Sequence, residues 1–180
     1  ANSEVPTSSM ETTIMAGDRV IGSRLSYKFG DPQRGDIAIF IYPDDEAKGI
    51  KTYYVKRIIG MPGDTITYQN DKLTVNGKEV KEEYLKEFQA AFAKDKLQKE
   101  YAYRDYFQQL AKESKAFTVN ADKNTTFSVT VPEGKYFLLG DNRIVSKDSR
   151  VVGYFDKSAL VGEVKFRFWP LNKIGTVEDN

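Results

Sequence analysis

The tightest constraint on this chain is a succession of short β-branched and aromatic runs, each closed by turn residues. Residues 18–27 (DRVIGSRLSY), 36–42 (DIAIFIY), 52–60 (TYYVKRIIG) and 64–69 (DTITYQ) share this character, and bounded runs of this kind are strands. Residues 71–80 carry Asn76-Gly77, the dipeptide of a type I′ hairpin turn. Strand-like sequence resumes at 125–131, crosses Pro132-Glu133-Gly134, continues through 135–139, and returns at 159–169 after the polar loop 140–150. The interval from about 81 to 115 breaks the pattern. It is rich in Glu, Lys, Gln, Ala and Leu, with Leu85, Phe88 and Phe92 at helical spacing, followed by Tyr103, Phe107 and Leu110. The sequence therefore predicts a mainly β fold with an inserted helical subdomain: residues 1–80 and 117–180 form the β-rich domain and residues 81–116 the insertion.

Composition narrows the chemistry. The 180 residues contain no cysteine and no histidine. The first absence excludes disulfides, thiolate catalysis and zinc–thiolate sites, and the second removes the commonest metal ligand and general base. No metal and no cofactor are expected. With 27 basic and 26 acidic residues the net charge is +1, which gives no electrostatic reason to expect nucleic acid as a partner.

Near the start, VPTSSMETT (5–13) sets Ser8 beside Ser9. A serine hydroxyl is a weak nucleophile until a base accepts its proton, and without histidine the bases on offer are Lys, Asp, Glu and Tyr. A lysine serves when it is neutral, and burial among apolar groups makes it so by withdrawing hydration from the ammonium form. Lys56 fits: strand periodicity puts it on one face with Tyr54 and Ile58. Arg57, between Val55 and Ile59, occupies the opposite face in the same way.

Taken in order, PTSSM, AGDRV, RGDIAIF, YYVKRIIGMPGD and GDNRIVSKDSR resemble the motifs of the type I signal peptidases, membrane-bound serine proteases that use a Ser-Lys dyad. The resemblance covers residues 2–80 and about 131–171 and leaves the insertion unmatched. It implies that Ser9 is the nucleophile and Lys56 the general base. It also implies an oxyanion hole made of the Ser9 N–H and the Thr7 hydroxyl, with Ser146 orienting the lysine amine. Arg57 with Asp141, and Asp148 with Arg150, would form structural ion pairs. Two positions depart from the family pattern: Thr12 stands where proline is usual, and Ile144-Val145 stand where a polar pair precedes the serine.

The same resemblance implies a fold and a task. The fold would be the signal-peptidase-like β-fold, of Gram-positive type because a helical insertion replaces a larger β-rich second domain. The substrates would be signal peptides of secreted preproteins, pilin subunits among them, cut after small-x-small sequences such as Ala-x-Ala. Met10, Ile14, Tyr53, Val55 and Ile58 are candidates both for the pockets that accept those side chains and for ordinary core. The expected location is the cytoplasmic membrane, with the catalytic domain on the extracytoplasmic face and an N-terminal transmembrane anchor missing from the sequence. Trp169, the only tryptophan, suits either a membrane interface or the end of the β-core. Two readings compete with the peptidase: a self-cleaving Ser-Lys repressor, for which only eight residues precede Ser9, and a non-catalytic relative acting as an assembly chaperone for secreted subunits.

Overall fold

The computed structural model describes residues 2–11, 13–50, 52–69, 72–86, 126–143 and 146–177. Two antiparallel sheets form the frame. The larger contains β1 (Asn2–Glu4), β2 (Arg19–Ser23), β3 (Ile37–Phe40), β4 (Tyr54–Gly60), β9 (Lys135–Leu139), β10 (Phe155–Asp156), β11 (Leu160–Trp169) and β12 (Gly175–Thr176). Its order is β1-β2-β11-β3-β4-β9-β10, with β12 also paired to β11. The smaller contains β5 (Thr65–Gln69), β6 (Lys72–Val75), β7 (Lys78–Val80) and β8 (Thr126–Thr130), in the order β7-β6-β5-β8. The mainly β expectation holds among the described residues.

Among the described residues three short α-helices interrupt the strands: α1 (Leu25–Phe29), α2 (Pro43–Ala47) and α3 (Ser149–Val152). Two of them correct the sequence reading. The strand expected over 18–27 ends at Ser23, and its last residues turn into α1, where Leu25 and Phe29 are exposed and only Tyr27 is buried. The loop expected over 140–150 runs into α3, whose N-cap Asp148 accepts the Arg150 N–H; an acidic N-cap satisfies an otherwise orphan donor. The hairpin forms as expected, with positive φ at both Asn76 (50°) and Gly77 (77°) as a type I′ turn requires. Of the helical insertion, Glu83–Leu85 forms a 3₁₀ turn with Leu85 buried under the smaller sheet. The rest of that expectation, from residue 87 onward, lies outside the described residues.

Strand β4 is the centre of the molecule. It lies between β3 and β9, with Ala38 opposite Lys56 and Leu139 opposite Arg57. Both of its faces are covered: Ile58 packs with Phe40, Leu138 and Phe155, while Ile59 packs with Ile66, Tyr68 and Phe137 from the smaller sheet side. A third apolar cluster, including Val5, Met10, Ile14, Ile37 and Val164, anchors the segment that carries the two serines. A strand buried on both faces leaves its charged residues no route to water, so each must find a partner or lose its charge. Lys56 and Arg57 resolve this in opposite ways.

Candidate active site

The serine-bearing segment is pinned at both ends before its reactive atoms are considered. The Val5 N–H donates to the Asp18 carbonyl and the Gly17 N–H to the Val5 carbonyl, while the Ile14 N–H donates to Met10. Met10 and Ile14 are wholly buried plugs. From the other side, Asn142 donates through its backbone N–H to the Ser9 carbonyl and through its side-chain amide to the Ser8 carbonyl, both at 3.0 Å. The stretch after β9 thus acts as a template for the backbone of both serines.

Ser9 Oγ lies 2.6 Å from Lys56 Nζ and 3.3 Å from Thr7 Oγ1. Lys56 is 3 % exposed, and its Nζ also donates to its neighbour's carbonyl, Val55 O, at 3.0 Å. Burial drives the lysine toward its neutral form, bringing its pKa down to about 8; Asp148 and Asp141 oppose the shift and Arg150 adds to it. At physiological pH an appreciable fraction of such an amine carries a free lone pair, unlike an exposed lysine.

Arg57, one residue along and on the other face, keeps its charge. Its Nη2 lies 2.8 Å from Asp141 Oδ2, with both side chains buried, and its Nη1 donates to the Gly35 carbonyl. Asp141 also accepts from Thr13 Oγ1 at 2.6 Å, tying the ion pair back to the serine segment. Asp148 pairs with Arg150 at 2.8 Å and accepts the Gly140 N–H. Burial raises the Asp148 pKa, and the Arg150 guanidinium overcomes that effect to hold it below the usual range.

Ser146 occupies the same neighbourhood without bonding the lysine. Its hydroxyl is buried and close to Asp148, yet makes no well-formed hydrogen bond among the described residues. Gly140 explains how the loop fits. A Cβ there would lie 2.2 Å from Ser146 Oγ and 2.5 Å from the Ser9 carbonyl, so only glycine allows the loop to close on the serine.

Two depressions flank the Ser9–Thr7 segment. A cleft of about 420 Å³ runs from Thr7, Ser9 and Lys56 past Tyr42 and Tyr54 to Asp44. A groove of about 310 Å³ on the other side is lined by Val5, Thr7, Val20, Ile39, Tyr53 and Val55. Of the five candidate pocket residues, Tyr53 and Val55 line this groove, whereas Met10, Ile14 and Ile58 are buried core. For Val55 and Ile58, both on β4, side-chain alternation does not separate pocket from core, because that strand is covered on both faces.

The sequence reading missed Asn142, Thr13, Glu82, Arg143 and Glu11. Arg143 is buried against Glu82 and Tyr68. Glu11 is 2 % exposed with one carboxylate oxygen unbonded, and burial raises its pKa to about 7. A polar residue in a polar loop carries no local sign that the loop is buried. Thr12, Ile144 and Val145, the departures from the family pattern, lie outside the described residues. Among the described residues no group of three metal-ligating side chains occurs, and no helix is long and apolar enough to cross a membrane.

A mainly antiparallel β frame presses one serine against one buried lysine, beside two grooves. Residues 1–169 match the family model described as signal peptidase, peptidase S26, and the chain belongs to that family. It is 53% identical over 129 residues to signal peptidase I of Streptococcus pneumoniae strain R6, a match covering 68% of this chain and 63% of the relative. It is 36% identical over 165 residues to signal peptidase IB of Staphylococcus aureus strain Mu50, covering 92% of this chain and 75% of that one. A crystal structure of a signal peptidase I from Enterococcus faecalis V583 is 32% identical, with a TM-score of 0.49, covering 74% of this chain and 96% of that one. The chain spans 63% of the length of the pneumococcal relative.

Proposed function

We propose that this chain is the catalytic part of a serine endopeptidase that removes N-terminal signal peptides from exported preproteins, cutting after small-x-small sequences. The observation that carries the reading is the 2.6 Å approach of Ser9 Oγ to a buried Lys56 amine. Family membership supports the substrate class. The working location is the outer face of the cytoplasmic membrane, where such preproteins emerge.

The chemistry follows from the geometry. Neutral Lys56 accepts the Ser9 proton as Oγ attacks the carbonyl carbon of the scissile bond, and the carbonyl oxygen becomes an oxyanion. The Ser9 N–H and the Thr7 hydroxyl donate to that oxyanion; one such donor is worth about 2.7–4 kcal/mol. As the tetrahedral intermediate collapses, the Lys56 ammonium returns its proton to the departing amine, leaving an acyl-Ser9 ester. Lys56 then takes a proton from water as the water oxygen attacks the ester; when the acyl–Oγ bond breaks, the Lys56 ammonium gives that proton to Ser9 Oγ, releasing the new carboxyl terminus and restoring both the serine hydroxyl and the neutral lysine. We assign to Ser146 the role of holding the lysine amine; what supports it is a buried, unbonded hydroxyl beside Gly140 and the Ser9 carbonyl. The 310 Å³ groove beside Thr7 suits small side chains of an extended peptide, whose alternate residues point to one face.

The test is cleavage of a signal peptide containing Ala-x-Ala, in detergent or lipid, by the parent and by Ser9→Ala and Lys56→Ala. Cleavage by the parent alone is expected. Undiminished cleavage by either variant overturns the mechanism.

A further inference from the structure

Asn142 is 2 % exposed and lines neither groove, yet it holds the backbone on both sides of Ser9. Its side-chain Nδ2 donates to the Ser8 carbonyl and its backbone N–H to the Ser9 carbonyl, both at 3.0 Å. The two carbonyls belong to different peptide groups. The first is the Ser8–Ser9 peptide, whose other polar group is the Ser9 N–H, and the second is the peptide that follows Ser9. A trans peptide is planar, with its C=O and N–H pointing in opposite directions, so a bond that fixes the Ser8 carbonyl also fixes where the Ser9 N–H points. Hydrogen bonds in series polarise one another, so the same bond makes that N–H a stronger donor. Asn142 Oδ1, by contrast, is buried with no partner among the described residues. An unpaired buried amide oxygen opposes stability, and an apolar side chain would avoid it. What an apolar side chain lacks is the donor to Ser8. Asn142 is itself held from both sides: Asp141 binds Arg57 Nη2 at 2.8 Å and Thr13 Oγ1 at 2.6 Å, and Arg143 Nε donates to the Gly140 carbonyl at 3.0 Å.

We propose that Asn142 is a positioning residue for the oxyanion hole: by clamping the Ser8 carbonyl it aims the Ser9 N–H at the oxygen of the scissile carbonyl. The role rests on the peptidase reading for its kinetic consequence and on backbone geometry alone for the direction of the N–H. It is separate from the activation of Ser9, because the Asn142 side chain bonds the Ser8 carbonyl while Ser9 Oγ is bonded by Lys56 Nζ. Without the side-chain amide, the Ser8–Ser9 peptide is free to rotate about the bonds that flank it. The second clamp, from the Asn142 backbone to the Ser9 carbonyl, stays in place.

The experiment compares the parent with Asn142→Ala on an Ala-x-Ala signal peptide and on a peptide aldehyde ending in Ala-x-alaninal. Ser9 Oγ adds to the aldehyde carbon, the carbonyl π bond opens, and its oxygen takes the negative charge into the hole while the Oγ proton passes to Lys56. In Asn142→Ala, kcat falls about tenfold or more with KM unchanged. Affinity for the aldehyde falls by a similar factor, and affinity for the same peptide ending in a neutral carboxamide changes far less. The acid limb of kcat/KM keeps its midpoint at about 8, whereas a Ser9 that has merely drifted from Lys56 would shift it. In the free protein, the three-bond coupling between the Ser9 amide and α protons, which reads the rotation of the Ser8–Ser9 peptide about N–Cα, moves away from its parent value. If Asn142→Ala does not fold, Asn142→Asp, which keeps the shape and the backbone donor but turns an acceptor toward the Ser8 carbonyl, shows the same losses. Unchanged kcat and aldehyde affinity in the folded variant overturn the role, as does a loss accompanied by a shifted acid limb. Absence of cleavage by the parent overturns the peptidase reading, and the Ser9 coupling still decides whether Asn142 sets the direction of the N–H.

Discussion

Arg57 Nη2 and Asp141 Oδ2 meet at 2.8 Å with both side chains sealed from solvent, joining the central strand to the loop that templates Ser9. A buried ion pair is costly to assemble and more costly to break from one side. Asp141→Ala is therefore expected to destabilise the fold by about 3–5 kcal/mol, because it strands the Arg57 guanidinium. Urea denaturation of the variant against the parent measures this. A loss under about 1 kcal/mol, the range of an exposed pair, would contradict the account of the pair.

Gly140 is expected to tolerate no side chain. A methyl group there meets Ser146 Oγ at 2.2 Å and the Ser9 carbonyl at 2.5 Å, both closer than a carbon atom can approach without displacing them. Gly140→Ala should cost about 1–3 kcal/mol of stability, as overpacking does, and should lower kcat by displacing Ser9 from Lys56. Peptide cleavage together with thermal unfolding tests both effects.

Lys56 is held at a cost in stability. Its pKa falls from 10.5 to about 8 on folding, so between these values the unfolded chain binds a proton that the folded chain does not, and stability rises with pH through that window. Below it both states are protonated and the folded state bears the full cost of the buried charge, about 3 kcal/mol for a shift of this size. Lys56→Met removes the charge and keeps the length. It loses about 1 kcal/mol in hydrogen bonds and is expected to be more stable than the parent by on the order of 1–2 kcal/mol near neutral pH. The advantage should vanish above about pH 10.5. Denaturant melts across that range provide the measurement.

The strands were legible because short β-rich runs ended at glycine, proline and asparagine. The hairpin at Asn76-Gly77 followed from backbone conformation alone. Lys56 was legible as one of two charged residues on an apolar strand. Its distinction from Arg57 depends on what lies across each face: Ser9 on one, Asp141 on the other. Those partners are 47 and 84 residues away in sequence, and periodicity has no reach over such separations. For the same reason Asn142 and Arg143 read as loop residues although both are buried. Residues 25–27, the end of the strand expected over 18–27, read as strand because the Leu-Ser-Tyr pattern suits a pleat; they open the helix Leu25–Phe29. In the fold it makes one helical turn against β11, with Leu25 and Phe29 left on the surface.

The central claim is that a lysine, neutral at its working pH, activates Ser9. The pH dependence of kcat/KM on an Ala-x-Ala peptide tests it most directly, because that profile reports the pKa of the essential base in the free enzyme. The account predicts an acid limb with its midpoint at about 8, set by Lys56, and a fall of about tenfold for each pH unit below it. A limb in the carboxylate range, about pH 4–5, would contradict the account and give the proton to an acidic residue instead.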